Sequence, residues 1–265
     1  PPLPFYVLAA LTETLPFSYI ELINVLPPIV GAGGMLALYG LTRAFGLSRR
    51  VSLGSLAVFA VLPSAYTEVL YGEGLAESFG LLATIGFAAT FRLFAAQRTL
   101  RSALITGVAG GLCVLASPGS AYGAAVSGLA FALFALSASD ARERLRTVLF
   151  LGMLGLTAAA IAGPYLIPVT ANHGPEIFTR ALRHQYAESP LHILTDTLDT
   201  LLKFGVSKAG YYAWFWDALI LASALLSLLK WGDWLLPAWL LGMLLIPREG
   251  VWLASVPASL MTGRF

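Results

Sequence analysis

The sequence predicts an all-α protein, a polytopic transmembrane helix bundle of about eight spanning helices with further helices at the interface. Of its 265 residues, 58% are hydrophobic and 11% are charged, and the mean hydropathy is +0.79. Apolar runs recur along the chain, many of them close to the roughly 20 residues that cross a hydrocarbon core. A soluble domain of this size would carry more charge and a polar face on most helices.

The order of the apolar runs gives the elements. The run over Pro1–Leu11 is too short to span, so we expect an interfacial or re-entrant helix on the outer side. Pro27 and Pro28 lie inside the first spanning segment, where prolines kink a helix. The predicted spanning segments are Tyr19–Phe45, Val51–Ala65, Leu75–Phe94, Ser102–Ala116, Ala121–Leu136, Thr147–Pro168, Tyr211–Leu229 and Trp234–Ile246, and another begins near Val251.

Charges alternate between the turns that join these segments. The proposed inner turns hold ten basic residues and three acids, whereas the proposed outer side holds eleven of the fourteen acids. Basic residues are retained on the cytoplasmic side of membrane proteins, so the acidic turns are predicted to face outward. The basic residues are spread over separate turns, and the net charge of +2 gives no basis for nucleic-acid binding.

We expect residues 1–265 to form one transmembrane domain truncated at both ends, since the sequence starts without Met and stops within an apolar run. Its sizeable aqueous segment is the outer loop over residues 169–210, with a turn at Asn172–Gly174 and two amphipathic helices opening near Pro175 and Ser189. The histidines, His173, His184 and His192, all lie in this loop at spacings that match no compact metal-ligand motif. No metal site is therefore predicted, and His184 is a candidate substrate contact.

An acidic cluster in one outer break is the first candidate site. Glu68, Glu73 and Glu77 have no basic neighbour there, and charge at a membrane face is costly without a use or a partner. These carboxylates could bind a cation, hold a sugar hydroxyl or act as a general base. The alternatives are a solvated acidic loop that fixes topology and, for Glu77, a residue that stabilises the start of a helix.

The second candidate is Arg248, in the short outer turn Pro247–Gly250. An arginine at the membrane surface suits a lipid-linked phosphate through paired hydrogen bonds. The alternative is an exposed arginine paired with Glu249. Tyr71 or Trp252 could stack on a sugar, although the six tryptophans fall near segment ends and indicate an interfacial aromatic belt.

Small residues at helix-packing spacing, Gly107 with Gly111 and Gly119 with Gly123, predict close helix contacts. The single cysteine, Cys113, is predicted to pack in the core.

A resemblance to a known class rests on the order and spacing of several short motifs. These are Pro1–Tyr6, Gly40–Gly46, Leu62-Pro63, Leu70–Glu77, Pro247-Arg248 and Val256–Gly263. Together they resemble the GT-C class of polytopic membrane glycosyltransferases, and within it prokaryotic membrane proteins labelled as related to 6-pyruvoyl-tetrahydropterin synthase. That label implies no pterin chemistry here.

The resemblance implies a polyprenyl-phosphate-linked sugar as donor, transfer on the outer face of a prokaryotic cell membrane, and often a divalent cation, Mg or Mn. The catalytic Asp or Glu of the class lies in an outer loop before the Pro-Pro-Leu motif, so we expect it upstream of Pro1. The chain departs from its relatives at Ser117-Pro118, where they often place His or Arg. The expected function is that of a membrane glycosyltransferase; the alternatives are a transporter or flippase of a lipid-linked saccharide and a non-catalytic membrane scaffold.

Overall fold

The computed structural model describes residues 2–62, 74–137, 140–174, 176, 213–230, 233–246 and 250–264, and for 213–217, 250 and 251 it describes the backbone alone. These residues form helices and contain no strand, which confirms the predicted all-α bundle. The helices are α1 (Leu3–Thr14), α2 (Tyr19–Ala44), α3 (Arg49–Val61), α4 (Gly74–Gln97), α5 (Leu100–Ala116), α6 (Pro118–Ser137), α7 (Ala141–His173), α8 (Ala213–Leu229), α9 (Leu235–Leu244) and α10 (Gly250–Thr262).

Side-chain caps set several of the helix starts. Ser18 and Glu21 form a reciprocal capping box at α2, in which the Ser18 amide donates to Glu21 Oε2 at 2.7 Å and the Glu21 amide donates to Ser18 Oγ at 3.3 Å. At α7 the Glu143 amide donates to the carboxylate of Asp140 at 2.9 Å. Such side chains satisfy amides that the first turn of a helix leaves without an intrahelical acceptor.

Helix α7 continues farther than the sequence predicted. We expected a loop from Val169 and a turn at Asn172–Gly174. Both predictions are wrong for their first residues, because the helix continues through His173. It ends at Gly174, whose φ of +72° is costly for any residue with a Cβ, and the Gly174 amide still donates to Thr170 O at 2.8 Å. The predicted amphipathic helices of this loop lie outside the described residues.

Among the described residues, four helices are long and apolar enough to cross a membrane: α2, α4, α6 and α7. Helices α5 and α9 and the stretch 218–229 of α8 are apolar but shorter. The protein is therefore an integral membrane protein, with its lipid-facing surface marked by exposed side chains such as Leu36, Leu129 and Leu156.

The core forms around α4, which packs against α2, α5 and α6. Phe87, Phe91 and Phe94 follow one another along α4 with ring centroids 5.6 Å apart at each step. Phe131 of α6 stacks on Phe91 at 5.8 Å and meets Trp239 of α9 edge-on at 5.1 Å. Aromatic pairs at these separations contribute beyond the area they bury.

The helix ends separate into two groups by charge. At one, called here the acidic end, α2 and α4 begin with Glu21 and Glu77 in their first turns. Leu8 of α1 packs there against Leu22, Leu26 and Leu75, so α1 lies at the end where the sequence predicted an interfacial helix.

At the opposite, basic end, two ion pairs form between described residues, and the first of them joins residues predicted to share a side. Arg98, before α5, pairs with Glu143 of α7, and Arg264, after α10, pairs with Asp233 at 2.9 Å. The Arg92 guanidinium lies 5.4 Å from the centroid of the Phe45 ring.

The small-residue spacing predicted close helix contacts, and α5 and α7 make one. A Cβ built on Gly107 would lie 2.7 Å from Leu154 O, and one built on Gly111 would lie 2.6 Å from Ile161 Cβ. The contacts of Gly107 and Gly111 advance in the same direction on both helices, so α5 and α7 run parallel. The buried position of Cys113 on α5 confirms its core role.

Candidate functional site

Glu77 is the one charged candidate within the part of the chain that the structure describes, where the sugar-stacking candidate Trp252 also lies. Glu77 lies in the first turn of α4, at the acidic end, and only 7% of it is exposed. The sequence left open whether this carboxylate sits in a solvated loop or in the protein. It is buried where α4 meets the turn between α5 and α6, so the solvated-loop alternative is wrong for Glu77.

Two buried serines hold that turn. Ser117 ends α5 and Ser120 lies in the first turn of α6, and each accepts a hydrogen bond from the backbone amide of the other at 3.0 Å. Ser120 Oγ donates to Cys113 O at 2.6 Å, which satisfies a carbonyl at the end of α5.

The Ser117 hydroxyl also lies beside Glu77. Its oxygen accepts from the Ser120 amide, and its O–H is within reach of Ser120 Oγ at 3.2 Å and of Glu77 Oε2 at 3.5 Å. A hydroxyl has one proton to donate, so when Ser117 donates to Glu77, the two serines and the carboxylate form a consistent chain of donors and acceptors. The contact at 3.5 Å is long for a hydrogen bond between two oxygens.

Gly80 allows α4 to approach the α5–α6 turn closely. A Cβ built on Gly80, one turn after Glu77, would lie 2.6 Å from Ser117 Oγ and 3.3 Å from Ser120 Cβ. Real Cβ atoms do not approach side-chain oxygens so closely, and the Ser117 hydroxyl occupies that space. Gly80 therefore fixes how near α4 lies to the α5–α6 turn.

The site also favours a negative charge. Glu77 is in the first turn of α4 and contacts Ser117, the residue immediately before α6. The amino-terminal ends of two helices thus face the carboxylate, and each carries a partial positive charge. The arrangement can hold an anionic side chain in a fixed position beside the α5–α6 turn.

The other predicted contacts lie outside the described residues. These are Glu68, Tyr71, Glu73, His184 and Arg248. The described residues contain no group of three or more His, Cys, Asp or Glu side chains that could hold a metal ion. Of the three carboxylates predicted as possible cation ligands, Glu68 and Glu73 are not described, so the divalent cation that the resemblance implies stays a prediction.

Two tryptophans correct the aromatic-belt prediction. Trp239 is fully buried, and its Nε1–H donates to Ser127 Oγ at 3.0 Å. Trp252 is 2% exposed, and its ring is enclosed by the protein. Neither ring is exposed on the surface of the bundle where a lipid-facing belt would lie, and a buried Trp252 is not available to stack on a sugar. Trp234, at 39% exposure, fits the predicted belt.

Sequence reasoning missed Ser120 and Gly80 as parts of the site, and it noted Ser117 only as a departure from the resemblance. A usable signal was present in Ser117-Pro118-Gly119-Ser120. A serine before a helix with proline at the first helical position is a start signal, and a second serine three residues on can return the capping bond. No comparable local signal marks Gly80, because its role depends on a contact with another helix.

Comparison of the chain with models of known protein families and with curated proteins gives no match. The site must therefore be interpreted from its own geometry.

Proposed function

We propose that this chain is the transmembrane core of a GT-C-like glycosyltransferase, which transfers a sugar from a polyprenyl-phosphate donor at the acidic end of the bundle. The observation that carries the proposal is the buried carboxylate of Glu77, held by Ser117 between two helix starts. Intramembrane carboxylates are costly and mark functional sites. Glu77 also closes the stretch Leu70–Glu77, one of the motifs that carry the resemblance.

In the proposed reaction, a carboxylate upstream of Pro1 takes the proton of the acceptor hydroxyl. The hydroxyl oxygen then attacks the anomeric carbon of the sugar, and the bond from that carbon to the phosphate oxygen breaks. The lipid phosphate leaves with the bonding electrons, and Arg248 neutralises its charge through paired hydrogen bonds. A divalent cation bound near Glu68 and Glu73 would add charge neutralisation at the same phosphate.

Glu77 is a positioning residue in this proposal. Its carboxylate holds the α5–α6 turn through Ser117, and the turn forms one wall of the acidic end. Rigid placement of such a wall orients the donor relative to the acceptor, which lowers the entropic part of the barrier. The acidic side is the outer face of a prokaryotic membrane in this proposal.

The test is an assay of the full-length protein in proteoliposomes with radiolabelled polyprenyl-phosphate-linked mannose, glucose or galactose. Transfer is measured as loss of label from the lipid donor. Arg248→Ala should lower kcat/KM about ten- to a hundredfold, since a charge-assisted contact contributes about 1.5–3 kcal/mol. Arg248→Lys should recover part of this, because lysine keeps the charge without the two-pronged geometry.

Four further variants test the assignments. Glu249→Ala should leave transfer near wild type, and so should Arg49→Ala at the basic end. Glu77→Ala should lower kcat with little change in the KM for donor, while Glu77→Gln, which keeps an oxygen acceptor for Ser117, should retain most turnover. Equal effects of Arg248→Ala and Glu249→Ala would make those two residues a structural pair instead.

Two outcomes would contradict the proposal. Wild-type kinetics in Arg248→Ala would remove Arg248 from the site. Movement of the lipid-linked sugar across the vesicle bilayer with no loss of label from the lipid would favour the flippase alternative, which would use the same acidic end without chemistry.

A further inference from the structure

The carboxylates described at the basic end are already engaged. Asp140 accepts from the Glu143 amide at the start of α7, Glu143 pairs with Arg98, and Asp233 pairs with Arg264. The same end carries eleven basic side chains: Arg43, Arg49, Arg50, Arg92, Arg98, Arg101, Arg142, Arg144, Arg146, Lys230 and Arg264. Most of that positive charge is therefore not neutralised by these acids.

Arg142 and Arg146 stand out within this group. Both are exposed, and neither has a carboxylate partner within the described part of the chain. Arg146 lies over the Phe150 ring at 5.3 Å from its centroid, which holds the guanidinium near the helix surface. Arg144, on another side of α7, is instead turned toward α6, where its Nε donates to Leu136 O at 3.1 Å.

These two arginines head a continuous stripe along α7. Residues 142, 145, 146, 149, 153 and 156 recur at three- and four-residue steps and so share one face of a helix. Below the arginines that face holds Leu145, Leu149, Met153 and Leu156, which are 65%, 62%, 39% and 73% exposed. The stripe thus presents two cations followed by an apolar strip about as long as an acyl chain.

Helix α7 is long enough to place the two arginines among the lipid headgroups and the apolar strip in the hydrocarbon core. Its 33 residues extend about 50 Å, which exceeds the roughly 30 Å of a hydrocarbon core. Its first two turns hold the arginines, so they fall at the depth of lipid headgroups when the apolar strip lies in the core.

We infer that the Arg142–Arg146 face of α7 is a binding site for an anionic phospholipid. Its phosphate would be held by the two guanidinium groups, and its acyl chain would lie along Leu145, Leu149, Met153 and Leu156. Guanidinium groups bind phosphate oxygens through paired hydrogen bonds, and basic positions next to a transmembrane helix favour anionic lipids. The site lies at the opposite end of the bundle from Glu77 and does not depend on sugar transfer.

The experiment uses the full chain purified in a neutral detergent. Unfolding is followed by reaction of the buried Cys113 thiol with a fluorescent maleimide as temperature rises. Phosphatidylglycerol should raise the unfolding temperature above that seen with phosphatidylcholine of the same acyl composition, because a ligand that binds the folded state stabilises it. Native mass spectrometry of the same samples counts the lipid that remains bound.

Paired variants locate the site. Arg142→Gln with Arg146→Gln should abolish most of the phosphatidylglycerol-dependent shift and weaken lipid retention about tenfold or more, since each lost phosphate contact costs about a factor of ten. Arg49→Gln with Arg50→Gln removes the same charge from the exposed start of α3, at the same end, and should leave the shift intact. Arg142→Lys with Arg146→Lys keeps the charge and should reduce the shift only in part.

Each other outcome overturns the proposal. Equal stabilisation of the wild type by the two lipids removes any preference for an anionic headgroup. An equal loss in both glutamine pairs shows a diffuse charge effect and no site on α7. A shift of the same size with inorganic phosphate alone identifies a free-anion site without the lipid. If the Arg142→Gln, Arg146→Gln variant does not fold, the other two variants decide. A full phosphatidylglycerol-dependent shift in Arg142→Lys, Arg146→Lys, together with loss of the shift in Arg49→Gln, Arg50→Gln, would place the lipid elsewhere.

Discussion

At Arg98 the backbone conformation lowers the stability of the fold, whereas the side chain raises it through an ion pair. Its φ of +49° lies in the left-handed region, which costs an L-residue with a Cβ about 1–2 kcal/mol. Its side chain pairs with Glu143 and so ties the α4–α5 turn to the start of α7. Glu143 is 53% exposed, so this ion pair contributes at most about 1 kcal/mol.

We expect Arg98→Gly to be more stable than Arg98→Ala by about 1 kcal/mol, because both lose the ion pair and glycine alone relieves the strain. Thermal unfolding in detergent, followed through the Cys113 thiol, measures the difference. Arg101, in the first turn of α5, is the matched control: there glycine should be the less stable replacement by up to about 1 kcal/mol. If Arg98→Gly were instead less stable than Arg98→Ala, as expected for the same pair at Arg101, the φ of Arg98 would carry no strain.

Single residues also show where sequence reasoning stops. The Trp239 and Trp252 rings were predicted at the interface because they fall near segment ends, yet both are buried. Their burial depends on α6 and α10 packing nearby, which no local pattern reports. Glu77 could be identified as a candidate from its charge alone, but its contact with Ser117 joins residues 40 positions apart.

Within one element, two glycines of α4 differ in whether another part of the protein occupies the space beside them. Gly80 faces the α5–α6 turn, and an added Cβ would meet Ser117 Oγ at 2.6 Å. Gly86, less than two turns farther along the same helix, would meet nothing within 4 Å. The two positions share a helix and a residue type, and they differ in what lies beside them.

Gly80→Ala should therefore lower the free energy of unfolding by about 1–3 kcal/mol, the usual cost of an overpacked contact. Gly86→Ala should raise it by up to about 1 kcal/mol, because alanine is the better helix former and the space is open. Thermal unfolding of the two variants in the same detergent makes the comparison. If Gly80→Ala instead raised the stability, the α5–α6 turn could move aside with no loss of free energy. That result would contradict the proposed rigid wall at Glu77.

Helix positions were largely predictable because apolar runs and caps are local features. The segments predicted at Tyr19–Phe45 and Ser102–Ala116 match α2 and α5 to within a few residues. The end of α7 was not predicted, since the polar residues before Gly174 were interpreted as a turn, whereas Gly174 itself ends the helix. Close helix contacts could be predicted from the spacing of small residues, at Gly107 and Gly111 and at Gly123, where an added Cβ would lie 2.9 Å from Leu253 Cδ1 of α10.

For the whole molecule, charge separates the two ends of the bundle. Glu21 and Glu77 lie at the starts of α2 and α4, while Arg98, Glu143, Asp233 and Arg264 meet at the opposite end. The sequence predicted this division from the alternation of charged turns, and the Arg98–Glu143 ion pair agrees with it because both residues were predicted on the inner side. Which end faces the cytoplasm stays a prediction from the positive-inside rule.

Thiol labelling in intact cells tests that orientation. On a Cys113→Ala background, single cysteines replace Gly72, Gln185 or Arg142, and an impermeant maleimide is added before and after the membrane is permeabilised. Gly72→Cys and Gln185→Cys should react in intact cells, because the acid-rich turns are predicted to face outward. Arg142→Cys, at the arginine-rich start of α7, should react only after permeabilisation. Labelling of Arg142→Cys in intact cells would reverse the orientation, and Glu77 and the proposed sugar transfer would then face the cytoplasm.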